Sequence, residues 1–284
     1  MILITGATGT IGSELVRLLA RRGAQVRALT RDPSRARVPA GVELVAGDFG
    51  DPGSLARAAG GVKAVFLLSA PGDTVAAHDL AMVEAAKAAG VGKLVKLSAI
   101  GTGSEHAATN FSMRWHEPGE EAVRESGLDW TVLRPTTFAS NALQWVAAVR
   151  SGAPIPNMTG TGTQGVVDPR DVSAVAAEAL TGSALDGRTY TLTGPELLST
   201  PDQVAALAAA VGRSLETVEV SAEVAEEGMR AGGMDPSVVE VALSGLAFVR
   251  AGRNAIVTDD VAEVLGRAPG TFEAWARDHA AAFS

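Results

Sequence analysis

Short aliphatic runs alternate with longer helical stretches along the chain as far as Pro135. The runs are continuously apolar, which is typical of strands buried on both faces of a parallel sheet. Helices are predicted between them, for example over residues 10–22 and 74–89. The alternation predicts an α/β fold with a doubly wound parallel sheet and right-handed crossovers. The predicted strands are Ile2–Thr5, Val26–Leu29, Val42–Val45, Ala64–Ser69, Leu94–Ser98 and Trp130–Leu133.

Capping residues mark the ends of several predicted helices. Asp51 is followed by Pro52, a pair typical of an N-cap and the first helical position. Gly23 and Gly90 lie where a left-handed residue would end the preceding helix. Farther along, Thr200 opens a Thr-Pro-Asp-Gln segment that predicts a capping box.

The regular alternation ends after Pro135. Residues 152–165 are rich in Gly, Pro and Thr, which predicts a loop. The remainder is interpreted as mostly helical, with a few strands that return to the sheet. The elements predicted after the loop are a strand at 166–168, a helix at 171–180 and a strand at 188–193.

Length and composition fit a globular chain, with 46% hydrophobic and 20% charged residues among 284. We expect a main domain over residues 1–150 and a smaller, mostly helical substrate lobe over residues 151–284. No strong sign of a linker separates the two, so the lobe is expected to pack on the sheet. The sequence leaves a monomer and a homodimer open.

Charge and residue usage exclude several classes of function. The net charge is −8 and the basic residues are scattered, which argues against binding to nucleic acid or to a membrane surface. There is no cysteine, and no His, Asp or Glu cluster has metal-ligand spacing, so no metal site is expected. The start has no signal-peptide pattern and no run suits a membrane helix, so a cytoplasmic location is predicted.

A glycine-rich loop directly follows the first predicted strand. Gly6, Gly9 and Gly12 are spaced as Gly-x-x-Gly-x-x-Gly, and a helix is predicted from residue 10. Glycine lets a pyrophosphate approach the backbone, and the free N–H groups at the helix start attract its charge. The alternative is a glycine-rich turn without a ligand. The other loop residues expected to contact the cofactor are Thr8, Thr10 and Ile11.

Basic residues follow the second predicted strand, where an NAD-selective site would have an acidic residue. Arg31 and Arg35 suit the 2′-phosphate of NADP(H), which is therefore the predicted cofactor. The alternative is that these arginines are solvated loop residues. Asp32 complicates the prediction, because a carboxylate there would repel a phosphate.

Polar and small residues end the next strands. Asp48 can accept from the adenine amino group while Phe49 packs on the ring; the alternative for Asp48 is a helix cap. Ser69 and Ala70 end the fourth strand and leave room for a cofactor across the sheet edge. Pro135, after the sixth strand, completes the predicted cofactor-binding set.

These features together resemble the short-chain dehydrogenase/reductase superfamily, and within it the atypical NmrA-like branch with its NAD(P)H:quinone oxidoreductase type 2-like proteins. The resemblance implies a Rossmann-type fold with the cofactor over the strand ends and the substrate between sheet and C-terminal lobe. Besides the glycine loop and Asp48, it rests on Leu97-Ser98-Ala99, Ser126-Gly127, Leu133-Arg134-Pro135 and Thr193-Gly194-Pro195.

One departure from the superfamily concerns the catalytic residues. Many members use a Tyr-x-x-x-Lys pair, but the single tyrosine here, Tyr190, has no lysine after it. His116 lies where the helix carrying that pair would start, in a His-x-x-x-Glu arrangement similar to that of the quinone oxidoreductase-like proteins. It is the best-placed group to give a proton near neutral pH, and Ser98 could orient a carbonyl oxygen. The alternatives are a packing or capping histidine and a strand-end turn serine.

Large apolar side chains are concentrated beyond the fifth predicted strand. Phe111, Met113, Trp115, Phe138 and Trp145 suggest a pocket for a flat, apolar substrate, with core packing as the alternative. Thr137 and Asn141 complete the predicted substrate-binding set, to which Trp145 is not assigned.

The sequence therefore favours an NADP(H)-dependent oxidoreductase that transfers hydride to a quinone or another conjugated carbonyl or imine. A tailoring step in secondary metabolism fits the Ala- and Arg-rich composition. The alternative is a non-catalytic NADP(H)-binding sensor or regulator of the NmrA type, which the missing Tyr/Lys pair would also fit.

Overall fold

The structure is a computed structural model that describes residues 1–104 and 111–284. The chain divides into two compact units, and residue 150 falls inside the second of them. The described residues of the first unit are 1–104, 113–134 and 172–191. Those of the second unit are 111–112, 135–171 and 192–284.

Strands and helices alternate in the first half and helices dominate the second. The strands are β1 (Ile2–Ile4), β2 (Val26–Thr30), β3 (Glu43–Ala46), β4 (Ala64–Leu67), β5 (Lys93–Leu97), β6 (Asp129–Pro135), β7 (Ile155–Asn157), β8 (Gln164–Gly165), β9 (Arg188–Leu192), β10 (Leu197–Leu198) and β11 (Thr217–Glu219). The helices are α1 (Thr10–Arg21), α2 (Pro52–Ala59), α3 (Val75–Ala88), α4 (Phe111–Arg124), α5 (Val146–Ser151), α6 (Pro169–Thr181), α7 (Thr200–Val211), α8 (Ala222–Ala231), α9 (Pro236–Arg250), α10 (Asp260–Leu265) and α11 (Phe272–His279), with 3₁₀ segments at Ala139–Trp145 and Ala280–Phe283.

A seven-stranded sheet in the order β3-β2-β1-β4-β5-β6-β9 forms the centre of the first unit. The pairs from β3 to β6 are parallel, which confirms the predicted doubly wound sheet. The strand order reverses between β1 and β4. Ligands of open α/β sheets bind at the carboxyl ends of the strands beside such a reversal, so the topology itself locates the candidate site.

Aliphatic side chains from the strands and two helices form the core of the first unit. Leu3, Val65 and Leu94 on neighbouring strands are fully buried. They share a cluster with Leu55 of α2 and Met82 of α3, both also fully buried. Core packing by aliphatic residues agrees with the low aromatic content of the chain, 4%.

Aromatic residues are more important in the core of the second unit. Phe272 and Trp275 of α11 pack with Leu207 of α7 and Ile155 of β7. Trp145 belongs to the same cluster and is 6% exposed. The suggestion that Trp145 helps to line a substrate pocket is therefore wrong, and core packing, the alternative, applies to it.

The second-half elements differ from the predictions in detail. The predicted strand at 166–168 is wrong, since these residues make only an isolated bridge between Val167 and Phe138. The predicted loop at 152–165 contains β7, which pairs with β11, and the two-residue strand β8. The predicted helix at 171–180 and strand at 188–193 are confirmed as α6 and β9.

Caps at the helix ends agree with most of the sequence predictions. Asp51 caps α2 by accepting a hydrogen bond from the Gly53 N–H at 3.0 Å. Gly23 and Gly90 have φ of 75° and 69°, the left-handed conformation expected after α1 and α3. The capping box of α7 is real but begins at Ser199, one residue before Thr200.

Helix α1 packs very closely on the glycine loop. Gly6 has φ of 60°, and a Cβ built on Gly12 would lie 2.2 Å from the Gly6 carbonyl oxygen. Gly9, the N-cap of α1, has an ordinary φ of −83°, and its nearest neighbour would lie 3.4 Å from an added Cβ. Gly12 is therefore required by packing within the chain, whereas Gly9 is not.

We predict that Gly12→Ala lowers the free energy of unfolding by about 1–3 kcal/mol, the usual cost of overpacking against atoms that cannot move away. Gly9→Ala is the matched control and should change it by less than about 1 kcal/mol. Urea unfolding followed by circular dichroism measures both. Equal losses from the two variants would contradict the close packing of α1 on the loop.

Candidate functional site

The glycine loop has the features that a bound pyrophosphate requires. Gly9 caps α1 without a side-chain hydrogen bond, and the first turn of α1 contains no acidic residue. Its first N–H groups are therefore suited to an anion, which the partial positive charge of the helix N-terminus also favours. Among the described residues, the nearest atom to a Cβ built on Gly9 would be the Gly6 carbonyl oxygen at 3.4 Å, so packing leaves room at Gly9. Thr8 and Thr10 are exposed beside it.

The end of β1 is joined to the end of β4 by one buried hydroxyl. Thr5 Oγ1 accepts a hydrogen bond from the Leu68 N–H at 2.7 Å and lies 3.1 Å from the Phe66 carbonyl oxygen. On the other side, Ser173 of α6 donates to the Ile11 carbonyl oxygen at 3.1 Å. The loop that would hold the phosphates is thus fixed to its neighbours on two sides.

The arginines after β2 are available to a ligand. Arg31 and Arg35 are exposed, and neither has an ion-pair partner among residues 1–104 and 111–284. Asp32 Oδ1 accepts from the backbone N–H of Ser34 at 3.0 Å and from its hydroxyl, so this carboxylate is engaged in its own turn. Its local hydrogen bonds reduce the objection that Asp32 would repel a phosphate.

A third arginine, Arg37, was not predicted as a site residue. It lines a cavity of about 220 Å³ next to the glycine loop. The signal was present in the sequence, because Arg31, Arg35 and Arg37 form a short basic run. The other residues lining the cavity are Ala7, Ser13, Val16, Arg17, Val38 and Pro39.

Asp48 and Phe49 follow β3 at the same edge of the sheet. Asp48 Oδ1 accepts from the Gly50 N–H at 2.7 Å, so one of its carboxylate oxygens is used locally. The cap of α2 is Asp51, not Asp48. Phe49 stacks on His78, with ring centroids 5.0 Å apart. His78 is half-buried in α3, with one face of its ring covered by Phe49.

A buried ion pair lies behind the end of β4. The Lys96 ammonium of β5 bonds Asp79 of α3, and their side chains are 1% and 0% exposed. Ser69 donates its hydroxyl proton to the other oxygen of Asp79. Ser69 is thus a partner of Asp79, and Ala70 follows it at the exposed sheet edge.

His116 of α4 lies against this pair. Its Nδ1 is 3.5 Å from Lys96 Nζ, and its side chain is half-buried. Burial and then the Lys96 charge lower the pKa of His116 to about 3, although the Glu120 charge opposes them. Burial beside the Lys96 ammonium therefore favours the neutral form of His116 at pH 7, and its role in giving a proton stays a prediction. A neutral imidazole still has one N–H to donate.

Ser98 takes part in a second buried cluster. Its hydroxyl donates to Glu120 Oε1 at 2.5 Å, and Arg134 bonds both oxygens of Glu120 at 2.9 and 2.6 Å. Arg124 adds a further charged contact. Burial raises the pKa of Glu120, but the hydrogen bonds from Arg134 and Ser98 outweigh it and hold that pKa below its usual value. The hydroxyl proton of Ser98 is thus directed to Glu120, not to a substrate carbonyl as expected.

The sequence of α4 lets both clusters reach the helix. Pro118 lies inside α4 and lacks the N–H that would bond four residues back. A Cβ on Gly119 would lie 2.3 Å from Asp79 Oδ2, so only glycine allows this approach of α4 to the ion pair. His116 and Glu120, one turn apart, then face Lys96 and Ser98 respectively.

The predicted substrate residues fall into two groups. Trp115 is half-buried in α4, while the side chains of Phe111 and Met113 lie outside the described residues. The second group follows Pro135, the last residue of β6, and belongs to the second unit. In that group Thr137 bonds Gln164, Phe138 is half-buried at the bridge to Val167, and Asn141 is exposed.

Lys96, Asp79 and Glu120 are the residues of these clusters that sequence reasoning did not assign. A signal existed for two of them, since Lys96 interrupts a strand of apolar residues and Asp79 interrupts an apolar helix. A charge in such a position has to be paired when it is buried. Which charge pairs with which depends on the tertiary structure.

Metal binding and membrane insertion find no support in the described part of the chain. Within residues 1–104 and 111–284, no group of three or more His, Asp or Glu residues could hold a metal ion. Over the same residues, no helix has the length and apolar character that crossing a bilayer requires.

Residues 6–183 match a family described as NAD(P)H-binding, and this match covers more than half of the chain. The chain is 41% identical to the (4-alkanoyl-5-oxo-2,5-dihydrofuran-3-yl)methyl phosphate reductase of Streptomyces griseus, over 100% of this chain and 99% of that protein. It is 37% identical to the NAD(P)H azoreductase of Xenophilus azovorans, again over 100% and 99%.

Solved structures share the fold over almost the whole length. The NADPH-dependent quinone oxidoreductase of Escherichia coli, in complex with NADPH, matches with a TM-score of 0.86 at 23% identity, covering 98% of this chain and 99% of that one. The triphenylmethane reductase of Citrobacter sp., in complex with NADP(H), matches with a TM-score of 0.85 at 23% identity, covering 99% and 100%. At this identity the likeness concerns the fold alone.

The neutral state of His116 predicts a dependence of stability on pH. An unfolded histidine titrates near 6.5, and the folded pKa is about 3, so the unfolded state binds the extra proton between these values. The free energy of unfolding should then fall, as the pH drops from 6.5 to 5, by up to about 1.4 kcal/mol per pH unit relative to His116→Gln. Urea unfolding at several pH values measures the difference. Parallel pH dependences would contradict the burial of a neutral His116.

Proposed function

The chain belongs to the NAD(P)H-binding family, as an atypical short-chain dehydrogenase/reductase of the NmrA-like branch, and on this premise we propose that it is an NADPH-dependent reductase of quinones and other conjugated acceptors. The alternative, a regulator that only senses the cofactor, is not favoured. Two relatives aligned with it over their full length are named as reductases.

The residues proposed to hold the cofactor surround the carboxyl ends of β1, β2 and β3. The N–H groups from Thr10 onward would bind the pyrophosphate, because they open α1 and have no acidic neighbour in its first turn, whereas the Gly9 N–H already donates to the Gly6 carbonyl oxygen. Arg31 and Arg35 would bind the 2′-phosphate, with Arg37 as a further contact. Asp48 has one carboxylate oxygen left for the adenine amino group. The remaining proposed contacts are Gly6, Thr8, Thr10, Ile11, Gly12, Phe49, Ser69, Ala70 and Pro135.

The substrate class is inferred from the proton donor. NADPH supplies a hydride to the acceptor when it is bound. His116, as a neutral imidazole, can offer only a weakly acidic N–H to the oxygen or nitrogen that gains negative charge. Such a donor suffices when conjugation stabilises that anion, as in a quinone or an enone. The observation that carries this proposal is the contact of His116 Nδ1 with the buried Lys96 ammonium at 3.5 Å, because a cation there disfavours a second positive charge on the ring.

The relatives' names agree with a conjugated acceptor. The name of the Streptomyces griseus reductase describes a ring alkene that bears both a ring carbonyl and an alkanoyl group. The name of the Xenophilus azovorans enzyme describes an azo compound. Neither substrate requires the strong acid that reduction of a simple ketone needs, so we propose that simple alkyl ketones are poor substrates for this chain.

We predict that NADP(H) binds more tightly than NAD(H). Arg31→Ala should weaken NADP⁺ binding by about 1.5–3 kcal/mol, the scale of a hydrogen bond to a charged group, and leave NAD⁺ binding unchanged. Arg21→Ala, at the other end of α1 and 65% exposed, is the matched control. Titration calorimetry with both cofactors measures the affinities. Equal or tighter NAD⁺ binding by the wild type would contradict the assignment.

We predict that His116→Gln lowers kcat by about 10²-fold for an enone, the lower end of the range for a positioned donor. The loss should be smaller for a quinone, because water can protonate its stabilised anion after hydride transfer. Single-turnover NADPH oxidation measures the rate, with NADPH affinity measured separately. His279→Gln, whose ring bonds the Trp275 carbonyl in the second unit, is the control. Unchanged rates from His116→Gln on every acceptor would remove His116 from the reaction.

A further inference from the structure

Three elements meet at the buried ammonium of Lys96. The residue comes from β5, its partner Asp79 from α3, and His116 from α4. Ser69 at the end of β4 occupies the second oxygen of Asp79, so that carboxylate has a partner on each oxygen. Gly119 allows α4 to lie against Asp79, where any Cβ would collide with the carboxylate.

The three protons of Lys96 have three acceptors. One is donated to Asp79 Oδ2, one faces the Leu97 carbonyl oxygen at 3.4 Å, and one faces His116 Nδ1 at 3.5 Å. An ammonium group donates hydrogen bonds and accepts none. The nitrogen that faces it must therefore present a lone pair. A neutral His116 with its lone pair on Nδ1 carries its proton on Nε2.

We propose that Lys96, held by Asp79 and Ser69, is a positioning residue that fixes His116 as the Nε2–H tautomer, so that the donor always offers its proton from the same ring nitrogen. This inference rests on the proposed role of His116 in the reaction. The hydrogen bond made by one ring nitrogen of a histidine determines which nitrogen carries the proton. In the absence of a Tyr-x-x-x-Lys pair, donor and cation are supplied by His116 and Lys96 from two different elements.

The ion pair with Asp79 keeps Lys96 charged and in place beside His116. A lone ammonium at 1% exposure would lose its proton or draw in water, but Asp79 compensates its charge. The charged groups that act on His116 are Lys96 from β5 and Glu120 from α4, and Glu120 is held by Arg134. Both carboxylates are therefore engaged elsewhere, and neither is the partner of His116 Nδ1.

The direct test is the ring-nitrogen NMR spectrum of His116 in the full-length protein labelled with ¹⁵N-histidine. The chain has four histidines, so His116→Gln assigns the signal. At pH 7.5 the wild type should show the Nε2–H tautomer alone. An Nδ1–H tautomer, or a mixture, in the wild type would overturn the proposal.

A second experiment removes the positive charge of Lys96. Lys96→Met leaves Asp79 buried without a partner and is expected to fold poorly, so the uncharged pair Lys96→Met/Asp79→Asn is used with it. In the double variant His116 should exchange between tautomers, and the pH profile of kcat should gain an inflection between pH 5 and 7. The value of kcat for an enone should fall about tenfold or more, the scale of losing a residue that orients a functional histidine, with KM for NADPH unchanged.

The matched control is Lys93→Met on the same strand. Lys93 is 12% exposed and bonds Asp186, so its removal also takes a cation from β5. It should leave the His116 tautomer and the pH profile as in the wild type. A single Nε2–H tautomer and an unchanged pH profile in the Lys96→Met/Asp79→Asn protein would overturn the role of Lys96. If the double variant loses the single tautomer but its rates on every acceptor are unchanged, Lys96 does fix the tautomer. That outcome would instead contradict the role of His116 as donor.

Discussion

A charge that is removed from water must be paired, and this constraint organises the first unit around α4. The helix places Glu120 at 0% exposure, and Lys96 and Asp79 are buried behind it. None of these groups could remain charged alone. Their partners come from β4, β5, β6 and α3, so the pairing fixes the helix against the carboxyl ends of the strands. The geometry of the candidate site follows from where these charges are compensated.

The two clusters on α4 are different in kind. Both carboxylate oxygens of Glu120 are bonded, by Arg134, Arg124 and Ser98. Glu120 thus fixes α4 one turn away from His116. The Lys96 cluster instead has one hydrogen bond directed at a half-buried imidazole. One network therefore holds the helix, and the other sets the chemistry of a side chain on it.

The sequence was sufficient for the sheet, most helices and the glycine loop, because these depend on local apolar runs, spacing and caps. The capping box of α7 was misplaced by one residue, since Ser199 and Thr200 are chemically equivalent candidates and only the backbone distinguishes them. For Trp145 the sequence left a pocket and a core open, because an apolar side chain suits both, and the structure places it in the core. The protonation of His116 and the partner of Ser98 could not be predicted, because they depend on contacts between residues about 20 positions apart.

Two glycines of the glycine loop, Gly9 and Gly12, differ in whether packing within the protein explains them. Gly12 is explained by the carbonyl of Gly6, whereas Gly9 has no explanation inside the chain. One sequence motif thus contains one residue that packing requires and one that packing does not, for which we propose a ligand.

The proposed donor, His116, lies on α4 and the cation, Lys96, on β5, so one residue can be substituted without the other. A Tyr-x-x-x-Lys pair keeps both functions on one helix, so the two residues are tied to a single register. Here the cation is part of the sheet and is compensated there by Asp79, independently of the residue at position 116. A different side chain at that position would still meet an ammonium already in place. The side chain at position 116 could therefore change while the ammonium is retained, whereas Gly119 and Glu120 of the same helix are fixed by their contacts.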